Sequence, residues 1–103
     1  MNSELRDFLS DVNYKAGYSS SDADLKELLM ESKEVSRDEI SRSRWYNSYH
    51  YVVEIDERFI QYTWFECTGD NSINDMGLEF DWGDVLEVFP KQIVTTIYVR
   101  ENL

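Results

Sequence analysis

The apolar residues of this chain change period about halfway along it. Near the start, Leu5, Phe8, Leu9 and Val12 recur at i, i+3, i+4 and i+7, the spacing of one helical face. This predicts a helix over 3–13, with Ser3 as N-cap and Glu4 in the favourable first turn. Residues 14–21 break the pattern and read as a loop. Leu25, Leu28 and Leu29 then mark a second helix over 22–33, with Ser21 and Asp24 as a capping pair. Ser36 and Glu39 repeat that signal and predict a helical turn around 37–41. Two helices with so few apolar residues need a partner to pack against.

From residue 45 the period falls to two. Tyr49, Tyr51, Val53 and Ile55 alternate onto one face of a strand over 45–55. Asp56-Glu57 reads as a hairpin turn, although the usual second-position Gly is missing. A second strand follows over 58–67, with Phe59, Thr63, Phe65 and Cys67 alternating with Ile60, Tyr62 and Trp64, so that both faces can be covered. Thr68-Gly69-Asp70-Asn71-Ser72 is a turn cluster. Residues 78–82 and 85–89 are expected as short strands, and Pro90-Lys91-Gln92 as a turn. A last strand is expected over 93–100, where Val94-Thr95-Thr96-Ile97-Tyr98-Val99 has the highest β propensity in the chain. The expected fold is α+β: two short N-terminal helices on a three- to five-stranded antiparallel meander. Its 103 residues make one domain, helical over 1–41 and sheet over 42–103.

Charge adds a feature that periodicity does not show. The net charge is −11. Residues 67–90 hold six acids (Asp70, Asp75, Glu79, Asp81, Asp84 and Glu87) and no base, so about half of the excess sits in less than a quarter of the chain. Ile73, Met76, Leu78, Phe80, Trp82, Val85, Leu86, Val88 and Phe89 run through the same stretch. An acidic run this apolar is expected to fold, and so to hold its carboxylates in a fixed pattern. Five further acids, Asp22, Asp24, Glu27, Glu31 and Glu34, lie on or near the second helix, diluted by Lys26 and Lys33. The overall charge opposes binding to nucleic acid or anionic membrane and favours salt-sensitive association with a basic protein surface.

Candidate chemistry is sparse. With one Cys, Cys67, and one His, His50, the chain cannot close a zinc site or an internal disulfide. His50 and Cys67 sit on neighbouring expected strands, but no further motif supports a nucleophile–base pair. An EF-hand loop counted from Asp70 would need Gly at its sixth position and Glu at its twelfth, where Asp75 and Asp81 stand. There is no phosphate-binding Gly-rich loop, membrane span or apolar leader. The expectation is a cytoplasmic, non-enzymatic protein without cofactor or metal.

Carboxylates fixed on a strand can approximate a row of phosphates. Alternate strand residues lie about 6.7 Å apart on one face, and duplex phosphates about 3.4 Å apart along each strand. Glu79 and Asp81 are expected to project from one face of an extended 78–82, with Leu78, Phe80 and Trp82 on the other.

Val53-Glu54-Ile55-Asp56, Arg58-Phe59-Ile60, Thr68 to Ser72, Gly77-Leu78-Glu79-Phe80-Asp81 and Glu87-Val88-Phe89-Pro90 follow one another in an order that resembles small acidic proteins of phages and plasmids of Gram-positive bacteria. Some of these are anti-CRISPR proteins acting on type II effector nucleases. The resemblance covers about residues 52–100. It implies inhibition by binding: occupying the motif-reading site, blocking guide-RNA loading, or locking a nuclease domain. A CRISPR effector offers a basic channel and motif-reading arginines to such a protein. No residue role carries over from the resemblance. The expected partner surface, Asp70, Asp75, Glu79, Asp81, Trp82, Asp84 and Glu87, rests on charge pattern, with Trp82 as aromatic anchor. The alternative expectation is a mobile-element adaptor or regulatory protein that dimerises through its last strand; monomer and homodimer both remain open.

Overall fold

A computed structural model describes residues 1–43, 45–67 and 79–100. Its architecture is α+β: two helices, then a four-stranded antiparallel sheet in the order β1-β2-β3-β4. The elements are α1 (Ser3–Lys15), α2 (Asp22–Glu31), β1 (Lys33–Arg42), β2 (Tyr46–Ile55), β3 (Arg58–Cys67) and β4 (Leu86–Val88), with a 3-10 turn at Trp82–Asp84.

α1 starts at Ser3 as expected, but its cap is Asn2, one residue before the expected Ser3. Asn2 is extended, and its side-chain oxygen accepts from the Leu5 amide at 2.8 Å, satisfying a donor that has no partner inside the helix. The helix runs to Lys15 because Gly17, at φ +86°, can end it. There the Tyr18 amide donates to the Asn13 carbonyl and the Gly17 amide to that of Tyr14, a Schellman closure. α2 is capped by Ser21, which accepts from the Asp24 amide at 3.2 Å. Asp24 itself turns back to the amide and hydroxyl of Ser19.

The expected helical turn around 37–41 is instead the middle of β1, so the sheet begins at Lys33 and not at 42. A capping pair is worth only about 1 kcal/mol, and here it loses to a ladder with β2 that runs from Lys33↔Glu54 to Arg42↔Asn47. Arg37 strengthens that outcome by stacking on Tyr51 and Tyr49, 5.0 and 5.4 Å from their ring centres. β1 is exposed throughout, so it has no buried face to impose an apolar alternation. Its register shifts at Val35 and Ile40, a twist common at sheet edges.

β2 and β3 form a hairpin in unbroken register from Ile55↔Arg58 to Tyr46↔Cys67. The expected turn is present, with Asp56 at φ 47° and Glu57 at φ 65°. Both are left-handed, the geometry that matches strand twist across a two-residue loop. β4 pairs with β3 through Phe59↔Val88, Ile60↔Glu87 and Gln61↔Leu86.

Two expected strands are not formed. Glu79, Phe80 and Asp81 lie in no ladder; Leu78 lies outside the described residues. Asp81 is drawn into capping the 3-10 turn, its carboxylate accepting from the Gly83 amide at 2.9 Å. Residues 91–100 have no regular structure and are exposed. High β propensity is realised only where a neighbouring strand completes the ladder, and Pro90 interrupts the run after β4.

The core lies between the helices and one face of the sheet. Leu5, Leu9, Leu25 and Leu29 meet Tyr51, Val53, Ile55, Ile60 and Tyr62, and Val85 is buried beside them. The expected alternation on β2 is realised here, with Tyr49 partly buried at its edge.

Candidate functional site

The described end of the acidic run, from Glu79 onward, is bound to this core by Phe80 and Trp82. Phe80 packs 4.7 Å from Trp82, 5.8 Å from Trp64 and 6.0 Å from Tyr62, measured between ring centres. Lys26 on α2 lies 4.0 Å over Trp64, and Arg6 on α1 lies 5.8 Å over Trp82. The Met1 ammonium donates to the Trp82 carbonyl at 2.6 Å. Trp82 is therefore half-buried, with its ring committed largely to Phe80 and Arg6.

The expected surface residues take different environments. Glu79 and Asp81 are exposed and flank Phe80, so burial alternates over 79–82 although no ladder forms. Asp84 is half-buried, and its carboxylate accepts from the Thr63 hydroxyl at 3.2 Å. That hydroxyl can then only accept from His50 Nδ1, 3.1 Å away, so the imidazole carries its proton there. Glu87 forms a forked pair with Arg58, at 2.6 and 2.9 Å, with Glu4 3.7 Å from the same guanidinium. The Arg58 hydrogen bond holds the Glu87 carboxyl below its ordinary range, against the opposing effect of desolvation. Asp70 and Asp75 lie outside the described residues.

The acid-only stretch thus has a counter-charge in space. Arg58 comes from the adjacent strand, in register with Ile55 at the far side of the hairpin turn, and nothing in the local sequence signals the pairing. Sequence reasoning also missed a cleft of about 150 Å3 between the two helices, lined by Asn13, Ala16, Tyr18, Asp24, Glu27, Leu28, Glu31 and Ser32. Three of the second-helix acids are brought together on its wall.

His50 and Cys67 are separated. His50 pairs with Thr63 and Cys67 with Tyr46, four residues further along the hairpin, or about 13 Å. Among the described residues, no three His, Cys, Asp or Glu side chains are placed to hold a metal ion. The loop counted from Asp70 lies mostly outside those residues. No helix among them is long and apolar enough to cross a membrane.

The sequence matches no protein-family model, and comparison with curated proteins and with solved structures gives no significant match.

Proposed function

We propose that this protein is a non-enzymatic inhibitor that acts in the bacterial cytoplasm by binding the basic nucleic-acid-binding surface of a defence nuclease. The target class is a type II CRISPR effector, free or loaded with its guide RNA. The observation that carries this reading is the pair of exposed carboxylates, Glu79 and Asp81, on a backbone anchored by Phe80 and Trp82 in a chain of net charge −11. Acids held on a packed frame lose little freedom when they meet an arginine cluster, unlike acids on a flexible tail. Asp24, Glu27 and Glu31 on the helical cleft extend the negative field. Glu87 contributes less to that field because Arg58 offsets its charge, and Asp84 is already engaged by Thr63.

The test separates charge from fold. Glu79→Gln with Asp81→Asn removes two charges while Asn keeps an oxygen for the Gly83 amide. Binding to a guide-loaded type II effector, followed by calorimetry at low and high salt, is expected to weaken about tenfold or more in the double variant and to become less salt-dependent. Unchanged inhibition of DNA cleavage by the double variant would overturn the reading.

A further inference from the structure

Two apolar surfaces on this chain are left uncovered, and they adjoin. The first is the segment 91–100, in which Val94 is 97% exposed, Tyr98 95%, Ile93 79%, Ile97 74% and Val99 68%. Single exposed apolar residues are ordinary, but five within ten consecutive residues mark the segment as one that seeks a partner. The second is a groove of about 240 Å3 lined by Val35, Ser36, Val52, Phe59, Val88, Phe89 and Pro90. Val52, Phe59 and Val88 belong to the sheet face away from the helices, because their neighbours Val53 and Ile60 point into the core. Pro90 is both the rim of the groove and the start of the segment.

We propose that the segment 91–100 of a second copy seats in this groove, reciprocally, to form a two-fold dimer. Charge selects the occupant. The segment carries Lys91 and Arg100 and no acid, in a chain whose remaining residues are strongly acidic. It is the part of one copy that another can approach without repulsion. At the hairpin end of the groove, Glu54 lies opposite Phe59, and Asp56 and Glu57 form the exposed turn beyond. Length agrees: ten extended residues reach about 33 Å, while four strands at about 4.8 Å spacing span less than 20 Å. Reciprocal exchange covers both grooves and both segments and leaves none for further growth. β1 is the poorer acceptor, since the shifts at Val35 and Ile40 and the Arg42–Glu39 and Arg37–Glu34 pairs guard its edge.

This assignment uses none of the carboxylates of the acidic surface and stands or falls separately from it. Sedimentation equilibrium of the full chain, from micromolar to millimolar, is expected to give a dimer. Val94→Asp with Ile97→Asp is expected to weaken association about tenfold or more with an unchanged circular dichroism spectrum, because neither side chain is in the core. Val35→Cys and Ile97→Cys, each in a Cys67→Ser background, are expected to form a mixed disulfide when the two proteins are combined and oxidised. A monomer at every concentration overturns the proposal. So does a dimer indifferent to the two Asp substitutions, or a disulfide that forms only within one chain carrying both cysteines, which would place the segment on its own groove.

Discussion

Tyr62 and Tyr51 stack at 5.3 Å inside the core, and their phenols set an alkaline limit on the fold. Burial pushes the Tyr62 phenol up to about 12 and raises that of Tyr51 in the same direction. Unfolding releases these protons nearer the ordinary phenol value of 10.0, so the tyrosines' contribution to stability is constant below that pH and is lost as pH rises towards about 12. A chemical-denaturation series across this window is expected to show the fall in the native protein and a shallower one in Tyr62→Phe. Glu87 behaves oppositely. Its carboxyl lies below the free value of 4.5, so the Arg58 pair supports folding above that pH and is lost as pH drops through the folded value. Acid titration followed by circular dichroism is expected to show a flatter transition in Glu87→Gln. The turn holds a third residue-scale test. Glu57 at φ 65° is left-handed without being Gly, which costs about 1 kcal/mol. Glu57→Gly is expected to raise the urea midpoint slightly, with a gain of about 0.5 kcal/mol or less after the added freedom of the unfolded chain is subtracted.

Among the elements, the hairpin β2–β3 carries the sheet, and the helices close it from one side. Leu9, Leu25 and Ile60 are each 0% exposed and sit where helix and sheet meet. Truncating any of them to Ala leaves a cavity that cannot fully collapse, and a loss of about 2–5 kcal/mol is expected in equilibrium urea unfolding. Val94→Ala, on the 97% exposed segment, is expected to change the monomer's stability by less than about 0.5 kcal/mol in the same measurement. The elements that were legible in sequence are those with a buried face. α1, α2, β2 and β3 each present apolar residues to the core at their own period. β1 has no buried residue, so its only local signal was the Ser36–Glu39 cap, which points to a helix. The segment 93–100 shows the converse, a strong strand signal with no ladder to complete it.

The whole molecule separates its two surfaces by charge. Glu79, Asp81 and the acid-lined helical cleft present negative potential, while the outer sheet face and the segment 91–100 present apolar groups flanked by Lys91 and Arg100. Salt is expected to act on the two in opposite directions. It weakens capture of a basic partner by screening attraction, and it relieves the mutual repulsion of two copies of net charge −11. Light scattering and partner-binding calorimetry on one sample at two salt concentrations distinguish these effects.

The sequence by itself determined the α+β class, both helices, the hairpin with its Asp56-Glu57 turn and the presence of an unusually acidic run, because each follows from the period of apolar residues or from counting charge. It could not determine which acids are free. Arg58 reaches Glu87 across 29 positions, and Thr63 reaches Asp84 across 21, and both meetings depend on the register of β3 against β4 and the 3-10 turn. Only the tertiary structure set β1 in the ladder and left 91–100 out of it. A strand is made by its neighbour, and that neighbour is supplied by the fold.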